Sequence, residues 1–159
     1  MNLFVTDPCP CASAVALADK HVVKMPVESA QILSAAIKLH TPGITYDCLC
    51  KPTHIHHPVV KWAAASRANA AWIVRHGVAL CDEYQHRYKR EHASLRVIKA
   101  AEELLSHLPD APATAFMQCV DEDLRGPDVY EAYRGCLRRK YAAWGDKARW
   151  TNREKPAWL

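Results

Sequence analysis

The chain has 159 residues, a mass of 17.9 kDa and a formal charge of +4. Hydrophobic residues make up 50% of it and charged residues 24%, which excludes wholesale disorder. For that mass, surface scaling gives roughly 8,000 Å² folded against roughly 26,000 Å² unfolded, enough burial for one domain over residues 1–159.

Low glycine, short β-branched runs and alanine-rich periodic stretches predict an all-α bundle of about five helices behind a short extended N-terminal segment, residues 1–6. A first helix is expected from about Ala12 to Lys24. Pro26 then serves as a kink or as the opening residue of a following helix that reaches about Leu39. Residues 41–57 read as a loop, marked by Pro42-Gly43 and Lys51-Pro52. Val59 to about His92 reads as a long helical region with Gly77 as its candidate break, and Leu95 to His107 as another helix. A second loop follows, bounded by Pro109, Pro112 and Gly126-Pro127, and Asp128 is placed to cap a last helix ending near Trp144. No apolar run of about 18 residues occurs, so no membrane span is expected. The N-terminus lacks a basic region before an apolar core, and Asp7, Pro8 and Pro10 interrupt it, which points to a cytoplasmic protein.

The chemistry concentrates first in Asp19–Gln31. Lys20, Lys24, Glu28 and Gln31 recur at four, four and three residues, one face of a continuous helix, among apolar neighbours. A lysine beside a carboxylate supplies an amine nucleophile and a proton acceptor, with His21 adjacent. The same spacing also suits an ordinary surface ion pair, and a kink at Pro26 would turn Glu28 away from Lys24. Second, His54, His56 and His57 stand in a proline-bounded loop before a helix, where imidazoles bind phosphate or move protons; solvent-facing histidines fit equally. Third, Glu83 with Arg87 and Tyr84 with Tyr88 are four apart, and Asn69 and Trp72 lie turns earlier; a substrate-binding face and a structural pair both explain them.

Between Arg134 and Lys155 eight basic residues face two acids, interleaved with Tyr141, Trp144 and Trp150. Cations neutralise phosphates and aromatics stack on bases, so Arg134, Arg138, Lys140, Trp150 and Arg153, with Lys51, form the candidate DNA-binding set. The seven cysteines include Cys9-x-Cys11 and Cys48-x-Cys50. Structural zinc pairs normally leave two to four residues between thiolates, so buried, reduced thiols are expected, with no metal and no cofactor.

Several of these motifs together resemble a known family. They are Met1-Asn-Leu-Phe-Val5 with Asp7-Pro8, then Asp19-Lys-His-Val-Val-Lys-Met25 with Glu28 and Gln31. Lys51-Pro-Thr-His54 with His57-Pro58, Glu83-Tyr84 with Arg87-Tyr88, Tyr133-Arg134 with Lys140, and Trp150 with Pro156 and Trp158 continue it. The chain resembles the pyrimidine-dimer DNA glycosylases of the endonuclease V type over nearly its whole length. The resemblance implies a compact all-α DNA-repair enzyme acting on a pyrimidine everted from DNA. Such an enzyme cuts the glycosidic bond through an amine-linked imine and nicks the backbone by elimination, with Glu28 as the matching carboxylate. It departs at residue 2: the family's amine is the one exposed by removing the initiator Met, whereas Asn2 disfavours that removal. Either Met1, Lys20 or Lys24 then supplies the amine, or the chemistry differs from the family's. The expected partner is DNA. Two other readings use the same residues: a DNA-base modification enzyme transferring a group onto a modified thymine, and a non-catalytic nucleic-acid-binding module.

Overall fold

A computed structural model describes all residues, 1–159. It is all-helical, with six α-helices and no strand: α1 (Pro10–Val15), α2 (Asp19–His40), α3 (Pro58–Ala65), α4 (Arg67–Tyr88), α5 (Ser94–Glu103) and α6 (Val129–Trp144). Its surface of 8188 Å² matches the roughly 8,000 Å² expected for its mass. No helix is long and apolar enough to cross a membrane. Helix α2 lies at the centre, with α3, α4 and α5 packed on it and α1 packed on α4. One apolar core of 34 residues runs from Leu3 to Tyr141.

Residues 1–6 are extended, as expected, and Leu3, Phe4, Val5 and Thr6 are buried. Phe4 meets Tyr133 of α6 edge-on, and the Arg134 guanidinium donates to the Thr6 carbonyl at 3.0 Å. The segment thus forms the layer between α2 and α6.

The expected Ala12–Lys24 helix is two helices. Helix α1 ends at Val15, the chain turns at Ala16, and Ala18 is extended before α2. The physical reason is distant. Arg87 takes the carbonyls of Val15 and Leu17, and the Trp150 indole takes that of Ala16. Acceptors that would have continued the helix are satisfied from elsewhere. Pro26, by contrast, neither starts nor breaks a helix: α2 runs through it, leaving the Val22 carbonyl without an intrahelical partner. The second break also moves. It falls at Ser66, which is extended, caps α4 by accepting the Ala68 N–H, and donates to the Ala111 carbonyl at 2.6 Å. Gly77 instead lies inside α4, where an added methyl would meet Ile98 Cδ1 at 2.9 Å and Ser29 Cβ at 3.1 Å. It is a point of close helix approach. The α5 region is shorter than expected, ending at Glu103 with a 3₁₀ turn at Leu105–His107. Asp128 caps α6 as expected, accepting from Tyr130 and Glu131.

Candidate active site

Helix α2 carries His21, Lys24 and Glu28 on one stripe, spaced three and four residues apart. They line a cavity of about 230 Å³ with Met1, Asn2 and Phe4 of the N-terminal segment, Met25, and Lys140 of α6. The Glu28 carboxylate is buried, 8% exposed at its side chain, and both oxygens are engaged. Oε1 pairs with Lys24 Nζ at 3.0 Å, and Oε2 accepts the Asn2 backbone N–H at 2.6 Å. The Lys24 side chain is 70% exposed, so its ammonium bridges solvent and the buried carboxylate. Pro26 therefore does not rotate Glu28 away from Lys24.

Asn2 is itself fixed. Its amide donates to the Cys119 carbonyl at 3.0 Å and accepts from the Leu3 N–H. Lys140 lies 5.4 Å over the Phe4 ring, bringing a second ammonium to the same cavity. The cavity thus surrounds one carboxylate with cations, a field that favours an anionic ligand at its mouth.

His21 is buried between Phe4, 4.6 Å away, and Trp144, 4.9 Å away. Burial, helped by Lys140 and Lys24, pulls its pKa down to about 3. The Tyr141 hydroxyl accepts the Ala18 N–H and lies 2.8 Å from His21 Nδ1. The Tyr141 hydroxyl thereby ties the His21 ring to the start of α2. His21 is a fixed polar wall, too weakly basic to serve as a base near neutral pH. Lys20 does not line the cavity; its ammonium lies 4.9 Å from the Trp144 ring.

His57 caps α3 by accepting the Val59 N–H. Partial burial, the N-terminal ammonium and His54 lower its pKa, while Glu28 opposes them, so these groups share one side of the molecule. His54 is exposed, with backbone φ of 53°, and Gln31 is half-buried one turn past Glu28.

Other candidates lie apart. Asn69 is buried, donating to the Trp62 carbonyl and Thr114 hydroxyl and accepting the Thr114 N–H. Glu83 and Arg87 form a buried pair at 2.7 Å that also gathers Arg153 and Asp19. Tyr84 packs against Tyr88 and His92. Trp150 is bonded to Ala16, and Arg138 to the Trp158 carbonyl and to Glu131. Lys51 lines a separate hollow under residues 44–52. Sequence reasoning missed Asn2, Phe4 and Met25 as cavity residues. Only the apolar character of positions 3–5 hinted that this segment is internal.

The cysteines differ from expectation in burial: Cys9, Cys11 and Cys48 are exposed, and all seven are free. No group of three or more His, Cys, Asp or Glu side chains gathers to hold a metal ion.

The sequence profile of the family described as pyrimidine dimer DNA glycosylase matches residues 1–95. The chain belongs to that family. At the family level it is a DNA glycosylase with DNA as its substrate. No curated protein matches the chain, and no solved structure does. The matched stretch contains Asn2, His21, Lys24 and Glu28, while Lys140 comes from beyond it.

Proposed function

We propose that this glycosylase acts on a damaged or modified pyrimidine everted from DNA, with Glu28 as the carboxylate that manages protons and charge at the sugar. The observation carrying this reading is the buried Glu28 carboxylate held between Lys24 Nζ at 3.0 Å and the Asn2 N–H at 2.6 Å. As the bond from C1′ to the base N1 breaks, its electron pair leaves with the pyrimidine and the sugar becomes cationic. A fixed carboxylate stabilises that charge where it develops.

Capture of the sugar by an amine would add the lyase step. An amine attacks C1′ only when deprotonated, and Glu28 is the acceptor nearest Lys24. The new C–N bond, after opening of the sugar ring, gives an imine. Loss of a C2′ proton then expels the 3′ phosphate and nicks the strand. Lys140 and the α-amino group at residue 1 are the other amines of the cavity. Extruding the base costs a few kcal/mol of stacking, which Lys20, Lys24 and Lys140 offset by meeting phosphates.

Borohydride reduction of enzyme bound to pyrimidine-dimer or abasic DNA tests the scheme. A covalent complex is expected, and peptide mapping places the adduct on a cavity amine. Base release without trapping leaves a glycosylase with no lyase step. A nucleoside of new mass, with no base released, would instead mark a group-transfer enzyme. Glu28→Gln should slow base release by about 10²- to 10⁴-fold while DNA affinity stays within a few-fold. An unchanged rate removes Glu28 from the mechanism.

A further inference from the structure

Cys9 and Cys11 stand on either side of Pro10, both exposed, and neither belongs to the Glu28 cavity. The distance between their Cα atoms depends only on the backbone angles of the residue between them. Pro10 is the first residue of α1, so its backbone is helical and its ring fixes φ. Helical geometry sets Cα atoms two residues apart at about 5.4 Å. Disulfides take Cα separations of about 4.4–6.8 Å, so turning two side chains is enough to join the sulfurs. The backbone on either side is already held. The Cys9 N–H donates to Asp7 Oδ1 at 2.8 Å, and its carbonyl accepts the Ser13 N–H at 3.0 Å. The Pro8 carbonyl accepts the Trp72 indole N–H at 3.1 Å. The thiols also sense each other. Partial burial raises the Cys11 pKa first, then the charge and hydrogen bond of Cys9; Asp82 adds to this and Arg75 opposes it. Cys11 opens onto a hollow of about 240 Å³ walled by Val74, Val78 and Ala79, with Arg75 and Lys99 beside it. Lys99 is spent on Glu102, whereas Arg75 is exposed and enters no ion pair. The other pair, Cys48 and Cys50, differs: Leu49 between them is outside any helix, and Cys50 is half-buried with its N–H on Ser34 Oγ at 3.0 Å.

We propose that Cys9 and Cys11 act as one dithiol that exchanges with low-molecular-weight disulfides, of which oxidised glutathione is the type, and closes into a Cys9–Cys11 disulfide across Pro10. The site is separate from the glycosylase chemistry and goes beyond it. In the first step one protein thiolate attacks a sulfur of oxidised glutathione, forming a mixed disulfide and releasing one glutathione thiolate. In the second the other protein thiolate attacks the protein sulfur of that mixed disulfide and releases the second glutathione thiolate. Two protein thiols are oxidised to one disulfide, one glutathione disulfide is reduced to two thiols, and the two protein protons pass to the departing thiolates. The free Arg75 cation beside Cys11 favours the thiolate form and the carboxylates of the incoming tripeptide. Pro10 holds the second thiol within reach, so ring closure outruns the escape of the mixed disulfide. Both sulfurs face solvent, so excess reduced glutathione opens the ring again. The unit is therefore a reversible modification site rather than a structural bridge.

The test equilibrates the full chain in buffers of stepped oxidised-to-reduced glutathione ratio, quenches with acid, alkylates the remaining thiols and weighs the intact protein. The parent should lose two hydrogens and keep no glutathione, and peptide mapping should place the disulfide between Cys9 and Cys11. Returning the protein to reduced glutathione should restore both thiols. Cys9→Ser and Cys11→Ser change exposed side chains, and circular dichroism should leave them like the parent. Each lacks its resolving thiol, so each should hold about tenfold more bound glutathione than the parent, on the cysteine that remains of the pair. Three results overturn the proposal. One is a parent whose Cys9 and Cys11 stay reduced at every ratio. Another is a parent that accumulates glutathione as the single variants do, which would make the two thiols independent. The third is a disulfide that maps to Cys48 and Cys50 or links two chains. Should either serine variant fail to fold, the mapped disulfide and the glutathione content of the parent decide alone.

Discussion

His76 is fully buried and neither of its ring nitrogens has a hydrogen-bond partner. It stacks on Trp72 with centroids 5.0 Å apart, and burial pulls its pKa down to about 3, as it does for His21. Both rings are therefore neutral in the folded protein and protonate readily only when it unfolds. Below the ordinary histidine pKa of 6.5 the unfolded chain binds the extra protons, so stability is full above that value and falls as pH drops from 6.5 toward 3. Each histidine contributes a loss of about 1.4 kcal/mol per pH unit in that window. Replacing His76 by Leu removes one of the two without orphaning a partner. Urea unfolding at pH 7 and pH 4.5 should show the variant losing about 2.7 kcal/mol less than the parent. Equal losses would mean that His76 reaches water or a proton in the native state. The sequence made Lys24 and Glu28 legible, because four-residue spacing on one helix fixes their distance. It hid the roles of His21 and His76, whose burial depends on rings more than a hundred residues apart in one case and on interhelical packing in the other.

Helices were legible wherever a local signal sets them. Asp128 as a cap gave the start of α6, and the helical run read from Val59 came within one residue of the start of α3. The two misplaced breaks show where such signals fail. Residues 12–24 carry a helical pattern, but their carbonyls are claimed by Arg87 and Trp150, which no local window contains. Gly77 looked like a break because glycine is a poor helix former, whereas it exists to let α2, α4 and α5 meet. Gly77→Ala separates these explanations. Helix propensity alone would stabilise α4 by about 1 kcal/mol. The added methyl, though, sits 3.1 Å from Ser29 Cβ, an atom fixed to the α2 backbone, and 2.9 Å from Ile98 Cδ1. Overpacking of that kind costs about 1–3 kcal/mol, so a net destabilisation near 1 kcal/mol is expected. Calorimetry should record a fall of about 2–4 °C in Tm. A rise would show that the three helices have room to part.

What joins the two halves of the chain is a charged hub. Arg87 is 3% exposed and reaches Glu83 at 2.7 Å, Asp19 at 2.8 Å, and the carbonyls of Leu17 and Val15 at 2.9 and 3.1 Å. Arg153, from the tail, holds the other side of Glu83 at 2.8 Å, and Thr151 bonds Asp19. The pair, which sequence spacing offered as a substrate-binding face or as a structural pair, links α1, α2, α4 and the C-terminal tail. Burial alone would raise the Glu83 pKa, but Arg153 and Arg87 outweigh it and hold the carboxyl below its usual value. The two arginines are unequal. Removing Arg87 strands two carbonyls and leaves a buried carboxylate leaning on Arg153, whose side chain is 34% exposed. Breaking a buried pair in this way costs about 3–5 kcal/mol. Removing Arg153 leaves Glu83 still paired with Arg87 and should cost about 1 kcal/mol. Arg87→Lys keeps the charge but loses the fork that serves four acceptors, so it should recover only part of the loss. Leu17 lies in the link before α2 and Asp19 opens it, close to His21, so loss of Arg87 also frees the chain that leads into the wall of the Glu28 cavity. Urea unfolding of Arg87→Ala, Arg87→Lys and Arg153→Ala should rank them in that order of damage. Equal, small losses for all three would mean that the tail and the first turn of α2 hold their places without the hub.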